Sequence, residues 1–228
     1  MINQINFNTQ IITIDGPAAS GKSTVGELLS KKINFRYLDT GLMYRAITTY
    51  FIQKKILPEQ IEKIYNQLEK ITFTIKFTQA RTVNIFVNNK NVMSELFLPN
   101  TDLLVSNFSS ISCVRKFLVD KQRLVAKNGN IIMIGRDIGT VVIPDAKFKF
   151  YLNATSLIRA KRRYSQSKNS NKSIEEIKNS IDLRDKIDST RKDSPLKPAK
   201  DALIINTGNL SLNEVVDKMY SVFIGENL

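Results

Sequence analysis

The side chains able to do chemistry in this 228-residue chain are mostly cations and hydroxyls. Lys22 and Ser23 stand directly behind a glycine-rich run, Gly16-Pro17-Ala18-Ala19-Ser20-Gly21, and Thr24 follows them. The spacing fits Gly, four residues, Gly-Lys-Ser/Thr, a loop whose backbone N–H groups surround phosphate oxygens. In that pattern the lysine reaches the β- and γ-phosphates of a nucleotide, and the hydroxyl, here that of Ser23, ligates Mg²⁺. Arginines recur further along, at Arg45, Arg115, Arg136, Arg159, Arg162, Arg163, Arg184 and Arg191. A planar guanidinium can bind phosphate oxygens in pairs. There is no histidine, which removes histidine bases, histidine metal ligands and the Ser-His-Asp triad. Such an inventory suits phosphoryl transfer, in which a protein mostly positions groups and neutralises charge.

Regular elements must hold these groups. Ile11 to Ile14 form a β-branched run that predicts a buried strand. Val25, Leu28, Leu29 and Ile33 recur at helical spacing over 22–33, so the glycine-rich loop lies between strand and helix. A helix N-terminus placed there adds partial positive charge. Phe35 to Leu38 predict a second strand, ending in Asp39-Thr40-Gly41 before a helix over about 42–54. Tyr44 and Arg45 sit in its first turns, near the strand's carboxyl end, where open parallel sheets bind ligands. Pro58-Glu59 predicts the start of another helix, with the stripe Ile61, Ile64, Leu68 and Ile71.

The texture then changes. Residues 72–93 are β-rich and predict a small antiparallel insertion, with a tight turn over Asn88 to Asn91. A helix over 101–126, in two pieces, carries Arg115. Ile131 to Ile134 predict an interior strand running into Gly135-Arg136-Asp137. Phe148, Phe150 and Tyr151 belong to another strand, followed by a basic helix over 156–167 and a polar stretch, 168–172, that reads as mobile. Ser173-x-x-Glu176 predicts a capped helix bearing Arg184, Asp188 and Arg191 and ended by Pro195 and Pro198. Residues 202–205 predict the last strand. Ser211-x-x-Glu214 caps the last helix, with the stripe Leu212, Val215, Val216, Met219 and Phe223. This alternation predicts an α/β fold, a parallel sheet flanked by helices of the P-loop NTPase type.

Composition narrows the classes. No apolar run reaches the roughly 18 residues needed to span a bilayer. Residues 1–10 lack a basic-then-apolar signal, so a cytoplasmic protein without membrane contact is expected. The single cysteine, Cys113, excludes an internal disulfide or a multi-cysteine zinc site and reads as a packing residue. The formal net charge of +13 fits either a nucleic-acid binder or an enzyme that gathers arginine around anionic substrates. No basic stripe with interleaved aromatics supports the first, and no nucleic-acid partner is expected. The GTPase base-reading pattern Asn-Lys-x-Asp is also absent.

Several stretches occur in a telling order. They are Ile14-Asp15-Gly16-Pro17, Leu38-Asp39-Thr40-Gly41-x-x-Tyr44-Arg45, Gly135-Arg136-Asp137-Ile138-Gly139-Thr140-Val141-Val142-x-Pro144-Asp145-Ala146, and Arg184-Asp185-x-x-Asp188-x-x-Arg191. Together they resemble the bacterial cytidylate kinases, from about Ile11 to Val222. The resemblance implies transfer of the ATP γ-phosphate to CMP or dCMP, with Mg²⁺, by one nucleoside-monophosphate-kinase domain, a monomer by default. Its core would be 10–57, 101–155 and 173–228, its monophosphate-binding insertion about 58–100 and its lid about 156–172.

By the same resemblance, Gly16 to Thr24 would bind ATP, together with Arg159 and Arg163 of the lid. Thr40, Tyr44, Arg45 and Arg136 would hold the acceptor phosphate. Asp137 would accept a hydrogen bond from the exocyclic amine of cytosine, with Ser106, Arg115 and Arg191 as further base contacts. Arg184 and Asp188 would meet the sugar. Lys22, Arg45, Arg136 and Arg162 would stabilise the charge in transfer. This sequence departs from the family pattern twice. Thr40 replaces a serine, and Glu95-Leu96-Phe97-Leu98 stands where an Ile-Arg-Thr pattern is usual, so an arginine is missing and no site is assigned there. Two alternatives stay open: a kinase for another monophosphate such as UMP, and a nucleic-acid-stimulated ATPase.

Overall fold

A computed structural model describes residues 10–79, 81–166 and 172–225. Residues 1–9 and most of the polar segment expected to be mobile, 168–171, lie outside the described residues. The strands β1 (Ile11–Asp15), β2 (Arg36–Asp39), β6 (Ile131–Gly135), β7 (Phe148–Asn153) and β8 (Leu203–Asn206) form one parallel sheet in the order β2-β6-β1-β7-β8. All of β6 is buried, as an interior parallel strand covered on both faces must be. The remaining strands, β3 (Phe73–Phe77), β4 (Val83–Val87) and β5 (Lys90–Asn91), make a separate antiparallel sheet.

Helices cover both faces of the parallel sheet. On one face α1 (Lys22–Ile33) and α8 (Leu212–Ile224) bury Val25, Leu29, Val215, Val216 and Met219 against Ile12, Ile14, Ile134 and Phe150. On the other, α2 (Thr40–Gln53), α4 (Pro99–Ser109) and α5 (Ser112–Ala126) contribute Met43, Ile47, Phe51, Phe108 and Leu118. Ile85 and Val87 of the small sheet join that second cluster, so the insertion shares the main core. α3 (Ile61–Leu68) also packs there, through Ile64 and Leu68. The remaining helices, α6 (Ser156–Gln166) and α7 (Ile174–Thr190), pair with each other beside the glycine-rich loop, burying Ala160, Ile177 and Ile181.

Several element ends differ from expectation. Residues 57–60 form a turn, closed by Gln60 N–H donating to Leu57 O at 3.0 Å, so α3 begins at Ile61 and not at Pro58. Its expected stripe is narrower, because Ile61 is exposed. The turn before β5 is only Asn88-Asn89, both with φ > 0. That is the backbone a two-residue hairpin needs, and Lys90-Asn91 pair back onto β4. α7 stops at Thr190, well before the prolines, and Arg191 is extended. Leu196 N–H donating to Asp188 O at 2.8 Å reverses the chain there. Leu212 is exposed and leaves the last helix's stripe to Val215, Val216 and Met219. Both predicted capping boxes, at Ser173 and Ser211, are present. Among the described residues, no helix is long and apolar enough to cross a membrane.

Candidate active site

β1, β2 and β6 end side by side, and a cavity of about 720 Å³ opens at their carboxyl edge. The glycine-rich loop turns α1 toward it. Gly16 has φ +149°, and a Cβ there would lie 2.2 Å from Leu152 O on β7, so only glycine lets the loop leave the sheet this closely. Gly21 has φ +93° and caps α1 in the left-handed region, leaving the first N–H groups of the helix facing the cavity. Residues 18–25 line it. Lys22 is buried, its ammonium donating to Pro17 O at 2.6 Å and to Ser20 Oγ at 3.2 Å. Burial, with Arg136 adding to it, holds the Lys22 pKa well below the ordinary lysine range.

Ser23 Oγ donates to Asp39 Oδ2 at 2.9 Å, and Asp39 Oδ1 accepts the Gly41 N–H at 2.9 Å. Asp39 therefore caps α2 and presents its other oxygen beside Ser23. These two oxygen donors fit a hard cation such as Mg²⁺, which takes a few protein oxygens and completes its shell with phosphate and water. Among the described residues there is no cluster of three or more His, Cys, Asp or Glu that could hold a metal without such help.

Cations converge on the rest of the cavity. Arg45 and Arg136, and Arg162, Arg163 and Arg184 from α6 and α7, all line it. Arg45 pairs with Asp102 at 2.6 Å, and Arg136 with Asp188 at 3.0 Å. Burial, reinforced by Arg136, pulls the Arg184 pKa down to about 10. At the far end Asp137, itself buried, is held by Arg115 through one carboxylate oxygen and by Arg191 at 3.4 Å through the other. Arg191 also faces Asp188 at 3.8 Å. The Tyr44 hydroxyl is buried without a well-formed hydrogen bond, and burial pushes its pKa up to about 12. Thr40 is buried, and its hydroxyl donates to Ile134 O at 2.8 Å.

The family assignment rests on this same stretch of chain, since a profile described as cytidylate kinase matches residues 12–224. The chain belongs to the cytidylate kinase family. A cytidylate kinase of Clostridium tetani (strain Massachusetts / E88) is 46% identical over 211 residues, covering 92% of this chain and 91% of its own. A bifunctional pantoate ligase/cytidylate kinase of Prochlorococcus marinus (strain MIT 9312) is 43% identical over 216 residues, covering 93% of this chain and 42% of its own. Among solved structures, shikimate kinase from Bacteroides thetaiotaomicron aligns with a TM-score of 0.51 at 12% identity, covering 95% of this chain and 99% of its own. That likeness concerns the fold alone.

Not every residue expected to act in this chain reaches the cleft. Arg159 is buried behind the glycine-rich loop, donating to Ala154 O and Ala18 O at 2.9 Å each. It also pairs with Asp185 at 2.6 Å, and Asp185 accepts the Ala18 N–H at 3.1 Å. Its guanidinium is thereby a bracket that fastens α6 and α7 to the loop, and it does not line the cavity. Arg162 and Arg163 do line the cavity, but Arg162 is turned onto Thr207, whose hydroxyl it meets at 2.9 Å. Ser106 is buried outside the lining, and Ser109, one helical turn on, takes that place. Gly16 and Pro17 shape the loop from behind its inner wall.

Sequence reading gave no role to Asp39, although a carboxylate at the carboxyl end of a parallel strand was a usable signal. It also passed over Asp15. Both oxygens of Asp15 accept backbone N–H groups, from Ile138 at 2.8 Å and Gly139 at 2.7 Å. Asp15 thereby anchors the π-helical turn Ile138–Val142 that follows Asp137. Burial outweighs those bonds and pushes its pKa up to about 6.

Proposed function

We propose that this chain transfers the γ-phosphate of ATP to CMP or dCMP, giving ADP and CDP or dCDP. One observation carries the reading. A single cavity runs from the phosphate loop to the Arg115–Asp137–Arg191 cluster, with Arg45, Arg136 and Arg184 between them. ATP enters at the loop, and its phosphates draw Lys22 away from Pro17 O. The acceptor lies at the other end with its phosphate against Arg45 and Arg136. An oxygen of that phosphate attacks the γ-phosphorus in line. The bond from the γ-phosphorus to the β,γ-bridging oxygen breaks, and ADP leaves. The attacking oxygen is already anionic, so no strong base is required, in keeping with the absence of histidine. Ser23 and Asp39 would hold part of the shell of a Mg²⁺ ion, which would neutralise charge on the transferring phosphates.

Asp137 reads the base. Its carboxylate accepts from the N4 amine of cytosine, where uracil offers only a carbonyl oxygen. Arg115 and Arg191 hold the carboxylate oriented. Arg162 leaves Thr207 when the helix that carries it closes over the bound nucleotides, and it then spreads the transition-state charge while water is excluded. The protein works in the cytoplasm as a monomer. A coupled ADP-release assay with CMP, dCMP, UMP and AMP tests the reading. CMP and dCMP are expected to be turned over far faster than UMP or AMP. Equal rates with CMP and UMP would remove the base-reading role of Asp137. ATP hydrolysis stimulated by RNA or DNA would point to another activity altogether.

A further inference from the structure

Phe97 lies at the mouth of the acceptor side, a residue 63% exposed although it borders the cavity. Its face covers the Arg45 guanidinium, whose carbon sits 4.8 Å from the ring centroid. Asp102, in the first turn of α4, grips one nitrogen of the same guanidinium at 2.6 Å. Leu96 O accepts from another at 3.1 Å. The Arg45 side chain is only 12% exposed and is thus enclosed by an aromatic face, a carboxylate and a carbonyl. All three come from one short stretch, 96–102, immediately after the β-rich insertion. A single exposed apolar ring is ordinary on a protein surface; what sets this one apart is that its face lies over a guanidinium lining the cavity.

We propose that Phe97 is a positioning residue for the acceptor phosphate. Its ring fixes the plane of the Arg45 guanidinium across the cavity mouth, so that the fork meets the incoming phosphate already oriented. Four rotatable bonds otherwise separate that fork from the backbone. A cation held over a ring face is attracted electrostatically by the ring quadrupole, and aliphatic carbon offers no such attraction. The neighbouring stretch supplies no arginine of its own between Glu95 and Asp102. With Arg136 as its partner on the acceptor phosphate, Arg45 therefore receives no support from a further arginine in this stretch, and acceptor binding depends on how well its fork is held. The inference rests on Arg45 contacting the acceptor phosphate, as set out above.

The test is steady-state kinetics on Phe97→Leu and Phe97→Tyr, each with and without Arg45→Ala. Phe97→Leu is expected to raise the KM for CMP about two- to fivefold, the worth of an exposed cation–π contact, with kcat and the KM for ATP unchanged. Phe97→Tyr keeps a ring face and is expected to restore the normal KM. In the Arg45→Ala background, Phe97→Leu should add nothing. The inference is overturned if Phe97→Leu leaves the KM for CMP unchanged. It is equally overturned if the effect persists without Arg45, or if it differs between CMP and UMP, since the ring would then touch the base itself. Thermal melting of each variant separates misfolding from these outcomes, and the unchanged KM for ATP is the internal control. Should the parent enzyme fail to phosphorylate CMP, the proposed function falls instead, and the two failures are distinct.

Discussion

Neutralising Asp137 gives the sharpest separation between a base-reading carboxylate and a purely structural one. Its side chain is 5% exposed and lies between Arg115 and Arg191, each 4% exposed. Deleting it with alanine leaves two buried guanidinium groups with the Ser109 and Ser194 carbonyls as partners and, for Arg191, Asp188 at 3.8 Å. Removing one partner of a buried pair costs about 3–5 kcal/mol, so Asp137→Ala would confuse folding with recognition. Asp137→Asn keeps the shape and one acceptor oxygen. The amide, however, also presents an NH₂ group, which cannot accept from the cytosine amine. One charge-assisted hydrogen bond contributes about 1.5–3 kcal/mol, which is roughly a 10- to 150-fold fall in kcat/KM for CMP. UMP should lose nothing and gain somewhat, because an amide N–H can donate to its O4. The assay compares kcat/KM for the two acceptors in wild type and variant, with a thermal melt alongside. Equal losses for CMP and UMP, or a large melting shift with unchanged selectivity, would refute the reasoning and leave Asp137 as the centre of an ion-pair network.

Three further outcomes are expected. Asp39→Asn keeps the cap on the Gly41 N–H but loses the charge beside Ser23, so it should weaken ATP binding about tenfold with Mg²⁺ present and hardly at all with a chelator; titration calorimetry under the two conditions checks this, and equal losses would count against a cation role. Arg159→Ala should lower stability by roughly 3 kcal/mol, since Asp185 loses its partner, whereas Arg162→Ala should leave the melting temperature nearly unchanged and cut kcat by ~10³; chemical denaturation and single-turnover rates tell them apart, and the reverse pattern would exchange their roles. Asp15 has a folded pKa of about 6, above its ordinary 3.8, so its contribution to stability is complete below that ordinary value and is lost as pH rises through about 6. That loss is on the order of 3 kcal/mol. The stability difference between wild type and Asp15→Asn should therefore shrink between pH 4 and 7 in denaturant titrations, and a pH-independent difference would show that Asp15 is ionised throughout.

The sequence alone settled the frame of this protein. Gly16 to Ser23 between a β-branched run and a helical stripe specifies a phosphate loop, because that backbone geometry tolerates few residue types. The parallel α/β order, the antiparallel insertion and both capping boxes were legible for the same reason, being written in local periodicity and turn chemistry. Local pattern says nothing about which cations finally face one another. Arg159 and Arg162 sit one turn apart on the same basic helix, yet the fold buries the first against Ala18 and Asp185 and leaves the second at the cleft. Only the tertiary structure brought Asp39 beside Ser23, Asp137 between Arg115 and Arg191, and Phe97 over Arg45. Those contacts join residues far apart in sequence, and their geometry depends on how helices seat on the sheet, which composition and spacing do not encode.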